Sequence, residues 1–224
     1  MGARYNGIPP FLARVGREGL GIKVGVETGT YLGESALQLA NEFGRCITIE
    51  LHPGLASRAT DRFRNDSRVE VIGGSSRDVL PLVLGSLSEP VMFWLDGHWS
   101  GDGTAGNDDI CPLESELDAL ANWPYIKSSM VVIDDARLFG FSSGDDPLKQ
   151  HFPSILSIGR MLEASGLELF LIDDVLIGFP FDSRAALLAV QVPVPRLRNV
   201  QTTLRGLLVP ASKIAKRVGL RRTQ

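Results

Sequence analysis

Residues 24–40, VGVETGTYLGESALQLA, restrict what this chain can fold into more than any other stretch. A β-branched apolar run ends in an acid at Glu27, and Gly29 and Gly33 bracket a short loop. Residues 34–43 then carry Ala36, Leu37, Ala40 and Phe43 as the inward side of a helix. The pattern predicts a strand, a glycine turn and a helix N-terminus. Such a junction presents unpaired backbone N–H groups and the positive end of the helix dipole, and glycines without Cβ atoms let a ligand approach the main chain. It is a cradle of nucleotide size. A phosphate-binding P-loop needs G-x-x-x-x-G-K-[ST]; GTYLGES has neither the spacing nor the lysine, which argues against ATP and GTP. The dinucleotide fingerprint G-x-G-x-x-G is missing too, because Gly25, Gly29 and Gly33 fall four apart, so NAD ranks as the second choice.

Residues 9–20 predict a short amphipathic helix with Phe11, Leu12 and Val15 on one face, a cover for the sheet or for the mouth of the nucleotide site. After the central motif, Gly44 stops the helix and CITIE forms a strand ending at Glu50, 23 residues beyond Glu27. An acid at that distance suits the two donors of a ribose diol. His52 reads as an exposed turn or a helix N-terminal residue, and Leu55, Ala59 and Phe63 mark the next helical face. Ser75 and Ser76 follow the strand VEVI, where they either bond an adenine or cap the following helix. The strand VMFWL runs into Asp96, and His98 and Trp99 open a polar, glycine-rich loop that lasts to Ile110. A loop of this length reads as a lid or binding loop, or as disorder, and its acids lack the calcium-loop pattern. Pro112 starts a helix with Leu113, Leu117 and Leu120 inward, and SMVVI is a buried strand that runs into Asp134 and Asp135. A helix over 153–165 and two strands joined by a tight turn at Asp173 and Asp174 complete the order. Alternation of this kind predicts an α/β, doubly wound, Rossmann-like and mostly parallel sheet with an antiparallel C-terminal hairpin strand.

At 224 residues with 44% hydrophobic content, the chain supports one sizeable core. The predicted organisation is a helical cover over 1–20, a main domain over 21–182 and a basic extension over 183–224. Residues 183–224 hold nine Lys or Arg and no acid, leaving fourteen basic against 26 acidic residues ahead of them. An acidic body argues against a nucleic-acid partner, whereas Lys213, Lys216, Arg217, Arg221 and Arg222 around Ile214 and Val218 suit either weak contact with an anionic surface or a solvated terminus. The sequence lacks a signal-peptide pattern and an apolar run long enough to span a bilayer, so the expected location is cytoplasmic. Cys46 and Cys111 suggest neither a disulfide framework nor a zinc site, with Cys46 a buried thiol. A homo-oligomer is compatible with all of this.

The acids Asp96, Asp134 and Asp135 end two different strands, and parallel strands share their carboxyl edge, so the three are expected to meet beside the glycine loop. Clustered carboxylates repel unless one is protonated or a cation joins them, and an all-oxygen set suits Mg²⁺ or Ca²⁺. His151 reads as non-catalytic.

The Glu-x-Gly-x-x-x-Gly-x-Ser stretch, with Glu27, Gly29, Thr30, Gly33 and Ser35, resembles the first motif of class I S-adenosylmethionine (SAM) methyltransferases. Taken with Glu50, Asp96 in LDGHW and the Asp134–Asp135 pair, residues 20–181 resemble the metal-dependent sugar O-methyltransferases related to the macrocin and novobiocin tailoring enzymes. The resemblance implies that SAM binds across Glu27, Gly29, Thr30, Gly33, Ser35, Glu50, Ser75, Ser76 and Asp96. It further implies that Asp96, Asp134 and Asp135 hold Mg²⁺ against neighbouring hydroxyls of a small-molecule or glycan acceptor. His98 is the nearest residue to act as base, beside Asp96. The insert SGDGTAGNDDICPLESEL departs from the family's short connection. An NAD-dependent oxidoreductase and a non-catalytic methyltransferase-like binding module are the alternatives.

Overall fold

The computed structural model describes residues 7–98, 110–140 and 151–183. The loop residues 99–109 and the basic extension from 184 onward, both singled out above, lie outside the described residues. Runs of β-branched and aromatic residues form β1 (Val24–Thr28), β2 (Arg45–Glu50), β3 (Val69–Gly73), β4 (Val91–Leu95), β5 (Met130–Ile133), β6 (Leu167–Ile172) and β7 (Val175–Pro180). They make one sheet in the order β3-β2-β1-β4-β5-β7-β6. β1 to β5 pair in parallel, and β7 pairs antiparallel with both β5 and β6. The doubly wound, mostly parallel sheet with an antiparallel hairpin is therefore observed. The chain runs out to the edge as β6 and returns inside it as β7, through a turn in which Asp173 adopts the left-handed conformation (φ +51°).

The strand order reverses between β1 and β4, which leaves a crevice at their carboxyl ends. In register, Glu27 of β1 lies opposite Thr48 of β2 on one side and Trp94 of β4 on the other. One face of the sheet buries Val24, Val26, Phe93 and Leu95 against α4 (Ser76–Ser86) and α5 (Leu113–Ala121). There Trp123 meets the Phe93 ring edge-on at 5.6 Å and donates its indole N–H to Leu84 O at 3.0 Å. Aromatic pairs of this geometry add to plain burial, and the filled indole donor avoids the cost of an orphaned polar group.

Several boundaries and faces differ from the sequence expectation. In α2 (Glu34–Phe43) the buried face is Ala36, Leu39, Ala40 and Phe43, with Leu37 only half-buried. Both 36/39/40/43 and 36/37/40/43 are acceptable helical stripes, and the way α2 sits on the sheet buries the first and leaves Leu37 on its margin. The last helix, α6, spans Ile155–Ala164 rather than 153–165, because the Ser154 side chain accepts the Ser157 N–H at 3.1 Å and fixes the start. The N-terminal segment is α1 (Pro10–Arg14) followed by a π-helical turn at Val15–Gly19, not one regular helix. A side chain at Gly16 would come within 3.1 Å of the Phe43 ring, so the wider turn sits where the backbone packs tightly. Leu12 and Val15 are buried and Phe11 is half-buried. His52 caps α3 (Pro53–Phe63), its Nδ1 accepting the N–H groups of Gly54 at 3.0 Å and Leu55 at 3.3 Å. Among the described residues no helix is long and apolar enough to cross a membrane.

Candidate active site

The glycine loop begins where β1 ends. Gly29 donates its N–H to Ile49 O at 2.9 Å, so the ladder continues one step beyond the strand. Its φ is +85°, and a Cβ there would lie 2.3 Å from the Asp96 carbonyl oxygen. Only glycine lets the loop rest directly on the exit of β4. At Gly33, with φ +79° and the Phe63 ring 2.7 Å from a built Cβ, the chain turns into α2. Gly33 is the N-cap of that helix, and no side chain caps it. The open first turn retains the anion-favouring end of the helix dipole.

Two acids brace this loop. Glu50 is buried, with Oε2 accepting the Tyr31 N–H at 2.9 Å and Oε1 accepting the His52 N–H at 2.8 Å. A carboxylate has about four lone-pair directions, so these two bonds leave it room for further donors. Glu27 is fully buried, its Oε2 accepting the Thr48 hydroxyl at 2.5 Å, and the Thr48 and Thr30 hydroxyls meet at 2.6 Å. Burial pushes Glu27 up to about 8, against hydrogen bonds from Ser35 and Thr48 that pull it down.

A cavity of about 910 Å³ opens over the loop. Its described lining includes Gly29, Thr30, Gly33 and Ser35 from the loop, Gly7 and Pro9 from the N-terminal segment, and Trp94 and Asp96 from β4 and its exit. Asp134, Asp135 and Arg137 line it after β5, and Asp173, Asp174 and Val175 from the hairpin. Glu27 is not in this lining; it supports the loop from below. Glu50, Ser75 and Ser76 also stand outside it. Ser75 occupies the N-cap position of α4 without a side-chain cap bond, and Ser76 is buried.

The three strand-end acids do come together. Backbone bonds from Asp96 N to Thr28 O at 3.0 Å and from Asp134 N to Leu95 O at 3.1 Å carry the parallel ladder up to them. His98, buried, sits between two of them: Nε2 lies 3.0 Å from Asp135 Oδ2 and Nδ1 3.5 Å from Asp96 Oδ1. The Phe152 ring closes over it at 6.0 Å. Burial, reinforced by Asp134 and Asp135 and opposed by His98, raises Asp96 to about 7. Burial also raises Asp134, whose Oδ1 accepts the Asp135 N–H at 2.7 Å. Asp135 goes the other way, held down by its hydrogen bond to His98. For His98, burial favours the neutral ring, but the hydrogen bond to Asp135 and the surrounding carboxylates outweigh it and raise the pKa.

Asp96, His98 and Asp135 each offer one ligand atom, and these atoms all lie within 4.8 Å of one another. Two carboxylates and an imidazole, with Asp134 alongside, are a donor set that fits a divalent cation. His98 thus stands inside the acid cluster, whereas the sequence placed it beside the cluster. The sequence also gave no hint of Arg137, which pairs with Asp135 Oδ1 at 2.5 Å and with Asp174 across the hairpin. Asp174 is 37 residues away, and no local pattern signals that Arg137 bridges it to Asp135. Glu116, buried on α5, was equally hidden; a side chain on Gly97 would come within 3.3 Å of its Oε1.

No protein-family model matches this sequence, and no curated protein matches it either. Solved structures do match. The O-methyltransferase TomG from Streptomyces achromogenes, involved in tomaymycin synthesis and solved with SAM, is 22% identical with a TM-score of 0.54, over 76% of this chain and 78% of TomG. An O-methyltransferase from Bacillus cereus, solved with S-adenosylhomocysteine (SAH), is 17% identical with a TM-score of 0.52, over 77% of this chain and 82% of that one. This chain shares its fold with these two structures.

Proposed function

We propose that this chain is a SAM-dependent O-methyltransferase that acts on a hydroxyl of a sugar or another small molecule, with Mg²⁺ as a second cofactor. One observation carries the reading: the glycine loop, seated on the Asp96 backbone through Gly29, shares a single cavity with acids from two strand ends. The SAM and SAH held by TomG and the Bacillus cereus enzyme support the choice of cofactor. In this proposal residues 29–35 take the methionine end of SAM, Glu50 accepts from the ribose hydroxyls, and Ser75 and Ser76 lie toward the adenine. Glu27 holds the loop in shape. Asp96, Asp134 and Asp135 would hold the metal, which when bound lowers the pKa of a coordinated hydroxyl.

Without a cation, burial holds Asp96 near 7, so it takes up a proton close to neutral pH with His98 against it; a bound dication competes with that proton for the carboxylate, so in the loaded site Asp96 serves as a ligand. For His98 to act as the base, one of its ring nitrogens must leave its carboxylate. The contacts of 3.0 and 3.5 Å favour a second role, in which His98 holds Asp96 and Asp135 together. The two roles separate in His98→Ala: loss of about 10²–10⁴ in rate with SAM and metal still bound indicates the base, whereas loss of metal binding indicates the clamp. The cytoplasmic location and the weak anionic-surface contact of the basic extension belong to the same proposal.

A screen of nucleotide sugars, glycans and catechols for SAH formation, with Mg²⁺ and with a chelator, tests the activity. Metal-dependent SAH formation is expected. Undiminished turnover in the chelator contradicts the metal role, and SAM binding without turnover of any acceptor supports the binding-module alternative.

A further inference from the structure

We propose that the cavity selects its acceptor by charge, taking uncharged or cationic hydroxyl compounds such as free glycans and amino sugars and rejecting acceptors that carry phosphate or carboxylate. The inference deepens the proposed methyl transfer and rests on it for the acceptor's chemistry, although the electrostatic claim concerns the cavity alone. Among its described lining residues stand Asp96, Asp134, Asp135, Asp173 and Asp174. Glu34 lines it as well, its charge offset by Arg62 at 2.8 Å.

Against these five acids the described lining offers one cation, Arg137. That guanidinium is already engaged with Asp135 and with Asp174, and the Arg137 backbone N–H donates to Asp174 Oδ1 at 3.0 Å. An arginine in such a clamp is a poor receptor for a phosphate, because turning toward the newcomer strips two carboxylates of their partner. His98 is likewise committed, its nitrogens facing Asp135 and Asp96. A bound dication and Arg137 together offset three of the five charges of the described lining and a protonated His98 a fourth, so with SAH, which lacks the sulfonium charge, in place that lining keeps at least one negative charge. Low-dielectric walls focus such a field on whatever enters. Asp173, exposed at the tip of the hairpin, extends it to the mouth.

Two nitroxides of similar size, 4-amino-TEMPO as a cation and 4-carboxy-TEMPO as an anion, read the potential directly through relaxation of backbone amides. The protein carries SAH and Mg²⁺, and the amides observed are those of residues 29–33. The cation is expected to relax them more strongly than the anion by about threefold or more, with the ratio falling toward one in about 1 M salt. Asp173→Lys should lower the ratio while the rest of the amide spectrum stays in place. Equal relaxation by both probes, or stronger relaxation by the anion, overturns the proposal, as does faster methylation of a sugar phosphate than of its parent sugar. SAH titration beforehand keeps the two ideas apart: failure to bind SAH sinks the methyltransferase reading, while the nitroxide ratio in the unliganded protein still decides the charge claim.

Discussion

Glu27 is fully buried beneath the glycine loop, and its pKa of about 8 makes it a contributor to pH-dependent stability. The folded protein keeps this proton up to about pH 8, whereas the unfolded chain releases it near the ordinary value of 4.5. Between those values the unfolded state binds fewer protons, so Glu27 makes stability fall as pH rises through that window. Glu27→Gln keeps an acceptor for Thr48 and removes the titration. Denaturant unfolding at pH 5 and pH 8 should show a smaller difference in the variant than in the parent; an equal difference contradicts the assignment. Glu50 tests the cofactor instead. Glu50→Ala is expected to weaken SAH binding by about tenfold to a hundredfold, roughly 1.5–3 kcal/mol, and Glu50→Gln by less because one acceptor oxygen remains. Calorimetry giving equal affinity for Glu50→Ala removes Glu50 from the site. Gly29→Ala forces a left-handed alanine against the Asp96 carbonyl and should lower stability by about 2 kcal/mol or more, read from denaturant or thermal unfolding.

The β6–β7 hairpin does more than finish the sheet. Its turn supplies Asp174, whose backbone carbonyl accepts the Ala136 N–H at 2.7 Å and whose carboxylate takes Arg137, so it clamps the segment that leaves β5 with Asp135 in a left-handed conformation. The Arg137 and Asp174 side chains are half and two-fifths exposed, so their ion pair contributes little to stability. Asp174→Ala should shift the melting temperature only slightly and yet lower kcat/KM by about tenfold, through a misplaced Asp135; an unchanged kcat/KM means that the clamp does not reach the site. The strands, the glycine loop and the hairpin were legible in sequence because each is written locally, in β-branched runs, in Gly29 and Gly33, and in adjacent aspartates. Leu39 was not, because a stripe drawn through Leu37 satisfies the same composition and only the helix's orientation on β1 and β2 decides between them. The start of α6 was missed because Pro153 gives a stronger textual signal than the Ser154 hydroxyl that performs the capping.

Over the whole molecule, the order reversal between β1 and β4 sets the crevice, and Asp96, Asp134 and Asp135 reach it because parallel strands share one edge, whereas Glu50, Ser75 and Ser76 stand outside its described lining. That geometry made Asp96, Asp134 and Asp135 legible as a group. It said nothing of what joins them, since His98 between Asp96 and Asp135, and Arg137 between Asp135 and Asp174, depend on side-chain directions that no spacing rule encodes. It also did not separate Thr30 and Ser35, which line the cavity, from Glu27, which braces its floor. In the proposed function this crevice takes SAM and not a dinucleotide, and calorimetric competition distinguishes the two. One equivalent of SAM should bind, SAH should displace it, and NAD at tenfold excess should leave the titration unchanged; absence of SAM binding, or its displacement by NAD, would contradict the claim.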